Sequence, residues 1–201
     1  MTSPLLWYAS RATGIVALIL LTATMVLGLL TATRLSSWRW PGFATQELHR
    51  RVSLISLAFL AGHILASVLD TYVHIGWVAV VVPFTSAYKP LGIGFGAIAV
   101  DSLLAVAITS LLRHRIPTRT WRCLHWLAYL SWPVAVIHGF AMGTDMRLGW
   151  VIGLTLACVA AVAGAGAWRV SRRAAARRRL STLPAVREGP RGVRVTHLVN
   201  R

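Results

Sequence analysis

Acidic residues and cysteine are both scarce in this chain. Its 201 residues include five Asp+Glu and two Cys, and charged residues of either sign make up only 13%. Two cysteines cannot staple a disulfide-rich secreted scaffold. So few charges beside 56% hydrophobic residues exclude a disordered chain. The length excludes a large multidomain enzyme. Lysine occurs once, at Lys89, so the other 20 of the 21 basic residues are arginine. Soluble domains usually carry about 45–50% apolar and about 25% charged residues. This chain is greasier than that, yet its formal net charge is +16. A membrane protein is the class that remains, and the question becomes where the arginines sit.

A helix that spans a bilayer needs about 20 mostly apolar residues. Five segments reach that length, near residues 12–32, 48–69, 91–112, 121–142 and 148–168. The apolar stretch 75–84 is shorter and meets Pro83, so it reads as an interfacial or re-entrant piece. The ten residues at the start carry no Lys or Arg, and the first run is too long for a secretory signal core, which points to a retained helix. The expected fold is all-α: a polytopic transmembrane bundle of about five spans plus one short interfacial segment.

Basic residues gather on the cytoplasmic side of membrane proteins. Eighteen of the 21 fall on alternate connections: Arg34, Arg39, Arg50 and Arg51; Arg113, Arg115, Arg119 and Arg122; and ten in the tail from Arg169 to Arg201. The other side has Arg11, Lys89 and Arg147. This fixes one expected orientation, N-terminus out and C-terminus in, in the cytoplasmic membrane. The division expected is a transmembrane domain over 1–169 and a basic, disordered tail over 170–201. An arginine cluster directly after a span attracts anionic membrane lipid. No groove-reading or stacking motif accompanies it, so nucleic acid is not an expected partner.

Seven histidines occur. His74, His114 and His197 fall in connections or tail and read as solvated. His49 and His63 lie in the second span, His125 and His138 in the fourth. Ionisable side chains at membrane depth are costly and usually functional. The alternative is that they are interhelical polar contacts in a non-redox protein, such as a transporter or assembly factor. Their depths argue otherwise. A spacing of 14 residues is about 21 Å along a helix and a spacing of 13 about 19.5 Å. In the topology above both spans run in the same direction, so His49 pairs in depth with His125, and His63 with His138. Zinc wants three or four protein ligands, and the Cys, Asp or Glu to complete two such sites is missing. Haem iron takes four ligands from porphyrin and only one or two from protein. Two bis-histidine b-type haems fit the count. No Cys-x-x-Cys-His motif suggests covalent attachment.

The 13-residue spacing leaves His125 and His138 about 140° apart on an ideal helix. Pro133 lies between them, and a distortion there is expected to bring both rings inward. Arg50, Arg51 and Arg122 lie at the depth of the inner pair, Arg11 and Lys89 at that of the outer pair; all five are candidates to bind haem propionates. Trp126 and Trp132 flank the ligands and are candidates to pack on porphyrin. Asp101, alone in the third span, is a functional candidate that could stay protonated by desolvation, relay a proton or hydrogen-bond a neighbouring Thr or Trp, the last being the expectation. Gly92-Ile93-Gly94-Phe95-Gly96 opens a membrane span and follows no strand, so it fails as a dinucleotide loop. Gly92, Gly96, Gly149 and Gly153 read as small-residue helix contacts. Cys123 and Cys158 are assigned no chemistry.

The paired histidine spacings, Trp121-x-x-x-His125 and Thr109-Ser110-Leu111-Leu112-Arg113 together resemble the ferric-reductase-like transmembrane domain family. That family includes the membrane di-haem b part of ferric reductases and NADPH oxidases. It also includes a small haem-binding membrane subunit of a bacterial methionine-sulfoxide repair system. The resemblance covers roughly residues 5–145. It implies His49/His125 and His63/His138 as axial pairs and electron transfer across the membrane. The protein would then be the haem-binding membrane subunit of an oxidoreductase. The electron donor would be a flavoprotein or membrane quinol. The acceptor would be ferric iron or an extracytoplasmic partner reductase. Only about 33 residues follow the fifth span, too few for a flavin or nicotinamide domain, and the chain has one span fewer than many relatives.

Overall fold

A computed structural model describes residues 4–31, 42–70, 73, 75–143 and 149–181. The chain is helical throughout them, with no strand among the described residues. Seven helices follow in order: α1 (Pro4–Thr31), α2 (Gly42–Leu69), α3 (Trp77–Val81), α4 (Pro90–Leu111), α5 (Thr118–His125), α6 (Leu127–Met142) and α7 (Gly149–Ser181). Arg34, Arg39, Arg147, His74, Trp38, Trp40 and the tail beyond residue 181, including His197, lie outside the described residues.

Four of these helices, α1, α2, α4 and α7, are long and apolar enough to cross a membrane. Helices form here because lipid leaves the backbone no partner but itself. The hydroxyls within them follow the same rule. Thr13, Thr22, Ser53, Ser67, Ser102, Thr109 and Thr155 each donate to the carbonyl four residues back. Proline sets two starts: Pro90 opens α4 after Lys89 in a left-handed cap (φ 40°), and Pro117 precedes α5.

The segment expected as the fourth span is divided. The helix tightens locally at Trp126 (φ −65°, ψ −21°), where amides bond three residues back: Trp126 N–H to Cys123 O and Tyr129 N–H to Trp126 O. Helix α6 then continues through Pro133 to Met142. The break between the two histidines therefore lies at Trp126, directly after His125, and not at Pro133. At 16 residues, α6 is about 24 Å long, so it needs α5 to approach the ~30 Å of a hydrocarbon core. Helix α7 runs unbroken past Arg169 to Ser181, so the first part of the basic tail is helix.

Packing is pairwise. α1 lies against α2, α4 against α6, and α1 also touches α6 and α7. α1 and α2 run antiparallel, as the contacts Ser10–Ser67 and Thr24–His49 require. α4 and α6 do too, as Gly92 meets Met142 and Gly96 meets His138. A small core joins Met25 and Leu29 of α1, Trp132 and Val136 of α6 and Cys158 of α7. There the Trp132 indole N–H donates to the Thr22 hydroxyl at 3.0 Å, buried from solvent. The two helices that carry the half-buried histidines His49, His63 and His138, α2 and α6, hardly meet through their backbones.

Candidate functional site

His63 and His138 face each other across the space between α2 and α6. Their ring centres are 6.3 Å apart and their planes are inclined by 79°. The Nδ1–H of His63 donates to the Ser10 carbonyl of α1 at 2.7 Å, and that of His138 to the Gly92 carbonyl of α4 at 2.7 Å. A carbonyl only accepts, so each Nδ1 holds the proton and each Nε2 keeps a free lone pair. The imidazole ring places Nε2 nearly opposite Nδ1, so each lone pair is turned away from the helix that holds the ring.

His49 repeats the arrangement nearer the other end of α2. Its Nδ1–H donates to the Thr24 carbonyl at 3.1 Å. His125, the last residue of α5, lies within electrostatic range of His49. Its ring stacks on Trp121 at 4.9 Å and 29°. Its Nδ1 is buried and has no partner among the described residues, as are Trp121 Nε1 and Thr24 Oγ1. The structure thus brings His63 and His138 together as a couple and sets His125 in the neighbourhood of His49 toward the other end of α2.

Glycines make room for three of these rings. The His63 ring lies over Gly14, the His49 ring over Gly28 and the His138 ring over Gly96. Gly92 supplies the acceptor for His138 and also seats Met142. Gly149 and Gly153 face open space, so they are not the helix contacts expected of them. Gly14 and Gly28 escaped the sequence reading, although their separation of 14 residues equals that of His49 and His63.

The flanking cations divide. Arg11 and Lys89 converge on Tyr88 at the His63/His138 end: Arg11 senses Tyr88 and lies over the Trp7 ring at 3.8 Å, while Lys89 Nζ donates to the Met142 carbonyl at 3.3 Å. Arg50 and Arg51 are exposed on α2 and pair with Glu47, at 3.8 and 2.8 Å. Arg122 is exposed on α5. Trp132 is committed to the α1–α6–α7 core and Trp126 is exposed, so neither is presented to the space between the rings. Asp101 makes no hydrogen bond to a Thr or Trp among the described residues. Phe84, at φ 67°, fills the space that a side chain at Gly94 would take.

No group of three or more His, Cys, Asp or Glu able to hold a metal ion occurs among the described residues. Two imidazole nitrogens about 2.0–2.1 Å from one metal would place their ring centres roughly 6 Å apart. The 6.3 Å separation of His63 and His138 fits that requirement.

The family model described as ferric reductase like transmembrane component matches residues 13–136. The chain belongs to this family. Membership suggests a membrane electron-transfer component of a kind that generally binds haem, in a multi-pass membrane protein. The family match spans His49, His63 and His125 and stops two residues short of His138. No curated protein and no solved structure matches the chain.

Proposed function

We propose that this protein is a transmembrane electron carrier with two non-covalent b-type haems, one between His49 and His125 and one between His63 and His138. The observation that carries the reading is the His63–His138 couple. Two rings from different helices face each other at 6.3 Å with both Nδ1–H groups committed to carbonyls. Interhelical hydrogen bonding alone would be served by those Nδ1 contacts, but it gives no reason for two rings whose Nε2 atoms keep free lone pairs to lie 6.3 Å apart. Haem iron, alternating between ferric and ferrous, would supply one-electron chemistry at each level.

The chain's own part is to orient and to enclose. Carbonyls of α1 and α4 fix the ring tautomers, which raises imidazole basicity toward a metal. Arg11 and Lys89 stand where anionic propionates at the His63/His138 level would need cations. Arg50, Arg51 and Arg122 are left as the inner-side cations of the cytoplasmic face, and the basic end of α7 meets anionic lipid there. In the orientation that the arginines favour, electrons enter at the His49/His125 level from a cytoplasmic flavoprotein or quinol. They leave at the His63/His138 level to ferric iron or a partner reductase outside the cytoplasmic membrane.

Reduced-minus-oxidised spectra of the purified protein test this directly. The expected result is b-type bands with about two haems per chain, falling to about one in His63→Ala and in His125→Ala. Protein without such bands, or with bands untouched by both substitutions, overturns the reading. A reporter fused at the C-terminus should be active only if it is one that works in the cytoplasm.

A further inference from the structure

Three of the four histidines share one construction. Each ring lies over a glycine of the neighbouring helix and donates Nδ1–H to the carbonyl four residues before that glycine. The sets are His63 with Gly14 and Ser10, His49 with Gly28 and Thr24, and His138 with Gly96 and Gly92. The physical reason is local. In a helix the carbonyl of residue n−4 points toward residue n, and the Cβ of residue n ordinarily shields it from the side. Without that Cβ a planar ring can lie on the backbone and share the carbonyl with the helix's own amide. A Cβ built on Gly14 would stand 2.9 Å from His63 Nδ1, and one on Gly96 2.8 Å from His138 Nδ1. On Gly28 the nearest atom would be His49 Cε1 at 3.4 Å, a tight but ordinary contact.

We propose that Gly14, Gly28 and Gly96 are positioning residues that set the tautomer and aim of three axial histidines, and that His125 is the one ligand built without such an anchor. The proposal deepens the two-haem reading and rests on it. No described glycine has the His125 ring over it. Its Nδ1 is buried without a partner among the described residues, and the ring is held by the face of Trp121. A donated Nδ1–H raises the basicity of the ligand and favours the ferric state. The His63/His138 haem, anchored on both sides, therefore has the lower reduction potential and the firmer ligation. The His49/His125 haem is anchored on one side, and its weaker bond is to His125.

The experiment uses the full chain in lipid nanodiscs and compares Gly96→Ala, Gly28→Ala and Gly153→Ala, the last of which faces open space. Redox potentiometry and low-temperature EPR of the ferric protein read the two haems separately. 15N NMR of labelled histidine, in protein prepared without haem, reads the tautomers alone. In Gly96→Ala the lower of the two midpoints should rise and one low-spin signal should change, with the other haem unmoved. One Nδ1–H resonance should also be lost. Gly28→Ala should shift the other haem in the same direction by less, and Gly153→Ala should match the wild type. If Gly96→Ala does not fold, Gly28→Ala and the wild-type NMR spectrum, with three Nδ1–H rings among the buried histidines, still decide. Midpoints, EPR and tautomers unchanged in the glycine variants that fold would overturn the proposal while leaving two haems standing. A wild type without haem would overturn the haem reading, and the NMR arm would still report on the glycines.

Discussion

The two histidine levels are built to different standards. At the His63/His138 level the polar groups are matched: both ring N–H groups reach carbonyls, the Ser10 and Ser67 hydroxyls meet at 2.6 Å, and Lys89 closes onto the end of α6. At the His49/His125 level Thr24 Oγ1, Trp121 Nε1 and His125 Nδ1 are buried without partners among the described residues. The cause is helix continuity. His138 sits on an unbroken α6 lying antiparallel to the glycines of α4. His125 ends an eight-residue helix, one residue before the turn at Trp126, and no glycine seat faces it. Unpaired buried polar atoms cost about 1–3 kcal/mol each. Their concentration at one level marks it as the less finished half of the bundle, the half that gains most from a ligand.

The largest effect that separates the levels comes from cutting one ligand of each. His138→Ala should remove about half of the haem and leave the band of the His49/His125 level; His125→Ala should leave the other band. Absorbance spectra at low temperature resolve the two. If both variants keep the same band, the levels are not distinct sites and the comparison collapses.

A smaller effect distinguishes two tryptophans. The Trp132 N–H is bonded to Thr22, whereas the Trp121 N–H has no partner among the described residues. Trp132→Phe removes a satisfied bond, and about 0.5–1.5 kcal/mol of stability should go with it. Thr22 still donates to the Leu18 carbonyl, which limits the loss. Trp121→Phe keeps an aromatic face for His125 and removes an unpaired donor, so the haem-free protein should lose nothing. Thermal denaturation in one detergent compares the pair. Equal losses would mean that the Trp121 indole is in use and that the His49/His125 level is better finished than its hydrogen bonds indicate.

Much of this arrangement is legible in the sequence, because lipid enforces simple rules. The apolar runs predict α1, α2, α4 and α7, and the 14-residue spacing aligns His49 with His63 on one face of α2. Two features resist such reading. The helix break follows from backbone bonding around Trp126, whereas Pro133, the obvious breaker in the sequence, sits inside a continuous helix. The other feature is the role of the glycines. A glycine looks the same in sequence whether a ring lies on it, as at Gly96, or nothing does, as at Gly153. Only the match between the Gly14–Gly28 and His49–His63 spacings carried a signal, and it becomes meaningful once α1 and α2 are known to be antiparallel. The tryptophans fail for a similar reason: Trp132 is near His138 in sequence but faces the opposite partner helices.

At the His63/His138 level, Ser67→Ala breaks the hydroxyl pair with Ser10 and leaves the His63 carbonyl bonded within its own helix. Polar contacts between membrane helices average about 0.6 kcal/mol. A loss of that size in thermal denaturation is expected, with the spectrum unchanged. A spectral change would mean that the Ser10–Ser67 contact also helps to hold the carbonyl on which His63 depends.

The smallest effect tests the other rim. Arg50 and Arg51 follow His49 directly in sequence, which makes them natural candidates to bind the propionates of the haem proposed at that level, yet both are exposed and turned to Glu47. Exposed pairs of this kind are screened by solvent and contribute little. Glu47→Gln should therefore leave stability unchanged. It also frees both guanidinium groups without moving His49. If they already act only as solvated flanking charges, the midpoint of the His49/His125 haem will not move either. If they are held back from that haem by Glu47, their release will raise its midpoint, because added positive charge favours the ferrous state. The haem proposed at His63/His138, the level at which Arg11 and Lys89 lie, serves as the internal control in the same titration.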